Sequence, residues 1–260
     1  MSLCPICRST VSYAFSATLL RKYNVAFYNC TQCGFLKTET PYWLEEAYGC
    51  AIADADTGLV QRNLCLSKIM TTLLFFLFDR KGKYLDIAGG YGMLTRLMRD
   101  VGFNYYWDDK YCENFLARGF KADLETAFTA ITAFEVMEHV VDPLSFLSES
   151  MAQAKTKTIF FSTLLFEGSP PEPGSWWYYT HETGQHISFY QKRTLCVLAK
   201  KLGLNLYSNR SIHLLTNKKI NSFHYRFLSH PYISFVLSIL CNSVMPSKTF
   251  SDHLKLTNDL

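Results

Sequence analysis

The chain has 260 residues and a formal net charge of +4, so it holds one large domain, or one domain with a small appendage, and its charge is too small to argue for nucleic acid by itself. No uncharged apolar run reaches the length of a membrane-spanning helix: residues 64–78 hold Lys68, and 231–245 are too few. Cys4, Pro5 and Cys7 interrupt any N-terminal signal pattern, and a soluble, cytoplasmic chain is expected.

The first elements are two C-x2-C pairs. Cys4 and Cys7 are separated from Cys30 and Cys33 by 22 intervening residues. Two thiolates three positions apart can hold one ion from a tight turn, and a second such turn completes a tetrahedral site; Gly34 suits the second turn. Chance, disulfides and a redox pair are the alternatives. A cytosolic chain disfavours disulfides, and redox chemistry needs only one pair. The reading is a closed, structural zinc site in a ribbon over 1–40, too small to build much core without metal. The other five cysteines, Cys50, Cys65, Cys112, Cys196 and Cys241, are expected in the core.

A polar connector follows over 41–62, then a long apolar helix over 62–78. Residues 83–87 read as a buried strand. Gly89, Gly90 and Gly92 then permit a tight turn, and apolar residues at 93, 94, 97, 98 and 101 predict a helix. Strand, glycine turn and helix aim backbone N–H groups at a ligand. A phosphate loop would need Gly-Lys-Ser/Thr, and a dinucleotide loop a third glycine where Thr95 stands. Asp86, entering the turn, suits a cationic ligand such as S-adenosylmethionine. The next strand, 103–107, runs into Asp108 and Asp109, the latter 17 residues past Gly92; an acid there can accept ribose hydroxyls. A short strand near 119–122 and a strand over 129–134 ending at Glu135 come next. Asp142 and Pro143 open a helix to about 154, and 157–163 form a further strand.

The stretch Asp86-Ile87-Ala88-Gly89-Gly90-Tyr91-Gly92 and the later Glu135-Val136-Met137-Glu138-His139-Val140 resemble the class I S-adenosylmethionine-dependent methyltransferases. Ala88 replaces the first glycine of their pattern. The resemblance covers about 60–216. It implies an α/β, Rossmann-like, seven-stranded, mostly parallel sheet over 63–216, with 204–209 and 212–216 as a closing antiparallel pair, and leaves 217–260 as a helical extension. It implies S-adenosylmethionine as cofactor, held by Asp86, Ala88, Gly90, Tyr91, Gly92, Asp109, Asp123 and Glu135. The acids fall at or near strand ends, where such sheets bind ligands, although any one of them could be a helix cap or a solvated loop residue.

Residues 170–190, PPEPGSWWYYTHETGQHISFY, carry more aromatics than an ordinary loop. They suit a sugar ring or another flat polar acceptor, or a cover packed on the sheet. Trp177, Tyr179, His181, Glu182 and Gln185 are the expected substrate contacts. Methyl transfer to a hydroxyl or an enolisable carbon needs a base, and histidine is the usual choice near neutral pH. GQHISF resembles a segment of sugar and natural-product methyltransferases with an N-terminal zinc ribbon, which makes His186 the first candidate; His139, just past Glu135, is the second. A sugar, nucleotide-activated or within a surface polysaccharide, is the expected acceptor; a quinone-like or other natural-product acceptor and a non-catalytic assembly partner are the rivals. Residues 1–40 hold only Arg8, Arg21, Lys22 and Lys37 as cations, which is no stripe for an RNA backbone. A helix closed by Gly203 spans 191–202. The apolar run 231–246 reads as a buried helix, a homodimer or partner surface, or a weak membrane-surface contact.

Overall fold

A computed structural model describes residues 3–49 and 56–258. Three antiparallel strands come first, β1 (Ser12–Leu19), β2 (Tyr23–Asn29) and β3 (Leu36–Thr38), then the single turn α1 (Leu44–Ala47) and the long helix α2 (Leu59–Leu77). The alternating part runs β4 (Lys83–Ile87), α3 (Met93–Val101), β5 (Asn104–Asp108), β6 (Ala130–Ala133), α4 (Pro143–Gln153) and β7 (Thr158–Ser162). The two-residue strand β8 (Ser188–Phe189) precedes α5 (Lys192–Leu202), β9 (Asn205–Asn209) and β10 (Ile212–Thr216). Three helices follow: α6 (Ser222–Leu228), α7 (Pro231–Val244) and α8 (Thr249–Asn258).

The larger sheet has the order β5-β4-β6-β7-β10-β9. Its first four strands are parallel, and β10 and β9 close it as an antiparallel pair. Among the described residues this sheet has six strands where seven were expected. The stretch predicted at 119–122 reaches β5 through a single bridge, Trp107 to Lys121. The backbone N–H of Trp107 donates to Phe120 O, and that of Ala122 to Trp107 O. Gly119 in the left-handed region (φ +80°) and the turn after Asp123 bend the chain away before a ladder forms.

Side chains of the central strands alternate between two apolar layers, as a parallel sheet covered on both faces requires. Tyr84, Tyr105, Ala130 and Phe160 pack with α2, α3, α6 and α7. Leu85, Ile131, Ile159 and Phe161 pack with α4 and α5, and with Ile6, Phe35 and the buried cysteines of the N-terminal turns. Local signals set the helix ends: Asp142 Oδ1 accepts from the N–H groups of Leu144 and Ser145, and Gly203 (φ +67°) ends α5.

The N-terminal strands do not stand alone. β3 pairs antiparallel with β8, Leu36 opposite Phe189 and Lys37 opposite Ser188, so the small sheet takes its fourth strand from the GQHISF segment. Its apolar face shares a core with Trp43, Phe166, Tyr178, Tyr179 and Ile187. α5 grips the second cysteine turn, through Thr194 Oγ1 donating to Cys33 O (2.8 Å) and Arg193 to Thr31 O (3.1 Å).

The apolar run near the C-terminus is only partly buried, which corrects the buried-helix expectation. α7 lays Ser234, Ser238 and Cys241 inward and leaves Tyr232, Phe235, Val236, Ile239, Leu240 and Val244 exposed, because its small residues form the stripe that fits α2. Among the described residues, no single helix is long and apolar enough to cross a membrane. α8 is tied back to α3 by the buried Asp252, whose carboxylate takes Arg99 Nε (2.7 Å) and Nη2 (2.6 Å). Of the cysteines assigned to the core, Cys241 is buried, Cys112 is half-buried, and Cys65 and Cys196 are exposed. Cys50 lies outside the described residues.

Candidate functional site

The turn after β4 is built on three successive constraints. Gly90 (φ +53°) and Gly92 (φ +85°) occupy the left-handed region. Gly89 has an ordinary backbone but no room: a Cβ there would lie 2.7 Å from the Trp107 ring and 3.0 Å from Asp86 Oδ2. Ala88, where the family pattern has glycine, is also left-handed (φ +55°). An L-residue pays for that geometry, so Ala88→Gly should stabilise the protein by about 0.5–1 kcal/mol once the extra freedom of the unfolded glycine is subtracted. The urea midpoint of the variant checks this.

Two acids hold the turn. Asp109 Oδ2 accepts the N–H of Gly90 (2.8 Å), while Oδ1 accepts those of Tyr111 (2.7 Å) and Cys112 (2.8 Å). Trp107 Nε1 donates to Gly90 O (2.9 Å). Asp86 is 4% exposed and accepts from Thr132 Oγ1 (2.7 Å). Burial, and then the charge of Asp109, push its carboxyl up to about 7. A carboxyl raised on folding binds its proton more tightly in the native state, so the cost of Asp86 starts above its unfolded pKa of about 4 and grows until about pH 7. The ligand-free protein should therefore lose stability between about pH 4 and 7, and Asp86→Asn should flatten that loss while weakening the binding of a cationic ligand. Thermal melts across this range, paired with ligand titration, read both effects.

Tyr91 is exposed beside the turn, with its ring 5.6 Å from that of Phe115. Asp123 is exposed and accepts from Glu125 N (3.0 Å) in a local turn.

A second cluster stands at the ends of β6 and β7. Glu135 (φ +56°) takes Ser162 Oγ on Oε1 (2.7 Å) and faces Arg62 Nε from Oε2 (3.4 Å). Arg62 also pairs with Asp56 (2.6 Å). The chain then makes a single helical turn at Met137–His139, and the segment around β8 clamps it. Ile187 N donates to Glu138 O (2.8 Å), Ser188 Oγ to Val140 O (2.6 Å) and Tyr190 Oη to Met137 O (2.7 Å). This clamp sets the rings of His139 and His186 4.8 Å apart and nearly perpendicular. His186 Nδ1 donates to Tyr178 O (2.6 Å). His139 Nδ1 faces Gln185 O (3.1 Å), which can only accept, and lies 2.8 Å from the Tyr48 hydroxyl. Enclosure lowers both imidazoles, His139 to about 4 and His186 to about 3, the latter helped by its neighbour His139. Both are neutral near pH 7, with Nε2 as the free lone pair.

Sequence reasoning missed Glu138 as a site residue. It is fully buried, neither carboxylate oxygen has a hydrogen-bond partner, and burial followed by the charge of Glu135 pushes it up to about 8. The available signal was its place three residues after Glu135 and directly before His139.

The expected substrate contacts divide. Trp177 is 74% exposed, and Glu182 is exposed. Tyr179 is 1% exposed; its hydroxyl donates to Pro171 O (2.8 Å) and its ring packs on Phe15, Phe27 and Phe189. It belongs to the core, which corrects its assignment as a substrate contact. His181 stacks on Tyr179 (5.3 Å) with Nε2 buried and unpartnered. Gln185 is buried and spends its side chain on Ala47 O (2.8 Å), so it anchors α1, while its carbonyl positions His139.

The four N-terminal cysteines converge. Cys4 and Cys33 sulfurs are 3.6 Å apart and those of Cys7 and Cys30 3.4 Å, and all four lie within 4.8 Å of one another. These gaps exceed a disulfide bond of about 2.05 Å. They are close to the edges of about 3.8 Å in a sulfur tetrahedron around an ion 2.3 Å from each ligand. The two turns match: Arg8 N donates to Cys4 O (3.0 Å) and Gly34 N to Cys30 O (2.7 Å).

With this geometry in hand, comparison with known proteins gives the family. The Methyltransferase domain family matches residues 61–209, more than half of the chain, and the chain belongs to that family. Among curated proteins, none matches in sequence. Solved structures with a similar fold include an O-methyltransferase family 2 protein from Planctomyces limnophilus in complex with apigenin, at 13% identity and a TM-score of 0.42, covering 65% of this chain and 63% of that one. An O-methyltransferase family protein from Burkholderia thailandensis gives 9% identity and 0.46, covering 65% and 59%. The magnesium protoporphyrin IX methyltransferase of Synechocystis with bound S-adenosylmethionine gives 13% and 0.40, covering 68% and 93%. The chain thus spans about three fifths of the length of the first two.

Proposed function

We propose that the protein transfers the methyl group of S-adenosylmethionine to a hydroxyl of a sugar, nucleotide-activated or within a polysaccharide. One observation carries this reading: the glycine turn of a methyltransferase-family domain and a cluster of two neutral histidines and a buried glutamate lie at the carboxyl ends of neighbouring strands of one sheet. The donors around the turn fit the cofactor. Asp86 supplies negative potential for a cationic ligand, Asp109 fixes the turn, and Gly90 and Ala88 bring backbone close to it. Bound there, the cofactor supplies an electrophilic methyl group on a sulfonium. The chain orients an acceptor against it and, in the metal-free protein, His186 Nε2 takes the acceptor's proton; the carbonyl of Tyr178 holds Nδ1–H and so fixes which nitrogen is free. A structural zinc ion on Cys4, Cys7, Cys30 and Cys33 completes the proposal, fixing the sheet that β8 joins.

The test is transfer of tritiated methyl from S-adenosylmethionine into fractionated extract of the source organism. Label in nucleotide sugars or polysaccharide supports the sugar acceptor. Label confined to organic-soluble small molecules replaces it with a natural-product acceptor.

A further inference from the structure

We propose that Glu138, His139 and His186 form a binding site for one first-row divalent cation. One ligand atom from each residue lies within 4.8 Å of the other two. Both histidines are arranged as metal-binding histidines usually are, with Nδ1 held by a backbone carbonyl and Nε2 free. The independent observation is Glu138 itself. It is completely buried, and neither oxygen has a hydrogen-bond partner within 3.5 Å, a costly state for a carboxylate with no ion-pair partner in contact. Arg62 pairs with Asp56 and Glu135 and acts on Glu138 only through space, so with Glu138 ionised three carboxylates share one guanidinium. This leaves two negative charges, which one divalent cation neutralises.

Two imidazoles and one carboxylate favour manganese, iron, cobalt or zinc over magnesium and calcium, which prefer all-oxygen shells. Three protein ligands leave open positions. The proposal rests on this pocket being the acceptor site and changes how the proton is lost. A hydroxyl oxygen on the cation is acidified; its O–H bond breaks with the electron pair kept on oxygen, and the proton passes to water. That oxygen then bonds to the methyl carbon as the carbon–sulfur bond breaks, its pair going to sulfur. The cation, rather than His186, then deals with the acceptor proton.

The experiment uses the full zinc-loaded chain with Mn2+ as probe. The free-ion electron paramagnetic resonance signal reads Mn2+ uptake, and S-adenosylhomocysteine is titrated into the same samples. Expected are one Mn2+ per chain in the wild type, at least tenfold weaker uptake in Glu138→Gln, and the same loss in His186→Asn should the first variant fold poorly. S-adenosylhomocysteine binding should survive both changes. No uptake by the wild type at millimolar Mn2+, or equal uptake by the folded variants, overturns the cation site. Should the cation bind while S-adenosylhomocysteine does not, the site stands and the methyltransferase reading falls.

Discussion

If the four cysteines hold zinc as proposed, Cys30→Ser is expected to lose the ion and unfold the N-terminal sheet, with a loss of several kcal/mol. Structural zinc contributes about 10–16 kcal/mol in small zinc-dependent folds, and here Cys4, Cys30 and Cys33 also sit inside an apolar cluster shared with α4 and α5. The damage should travel further than the ribbon. β3 holds β8, and the segment around β8 clamps the turn that carries Glu138 and His139. The variant should therefore lose zinc, thermal stability and methyl transfer together. Metal content by plasma mass spectrometry and a thermal melt check this; a zinc-free variant that melts like the wild type would contradict it.

His186→Ala should slow turnover by about 10²–10⁴-fold, the usual contribution of a positioned proton acceptor, while S-adenosylhomocysteine binds as before. The same loss follows if His186 works as a cation ligand, so this prediction tests the acceptor site and the Mn2+ titration assigns the role. Tyr179→Phe is the control. It removes a hydrogen bond to Pro171 O from the neighbouring core and should cost about 1 kcal/mol of stability with turnover intact. Full activity in His186→Ala, or a parallel loss in Tyr179→Phe, would remove the histidine pair from the chemistry.

Much of this molecule was legible in its sequence because the signals are local. Buried parallel strands read as short apolar runs, and the spacing of 93, 94, 97, 98 and 101 gave α3. Asp142 with Pro143 announced α4, and the two cysteine pairs announced their own meeting. What stayed hidden depends on contacts distant along the chain. Nothing near Ser188 says that it adds a strand to residues 36–38. The aromatic run 176–179 looked alike residue by residue, yet Trp177 faces solvent and Tyr179 the core; a turn of 3-10 helix at Trp177–Tyr179 sends neighbouring side chains in different directions. The predicted strand at 119–122 failed because a glycine bend outweighed its few apolar residues. Glu138 was hidden for the same kind of reason: an acid in a sequence reads as solvated until the elements around it are seen to close over it.

The most direct test of the central claim is calorimetric titration of S-adenosylhomocysteine into the purified full chain. One site per chain is expected, with affinity on the order of micromolar, weakened at least tenfold by Asp86→Asn. A folded protein that shows no binding at millimolar S-adenosylhomocysteine would contradict it.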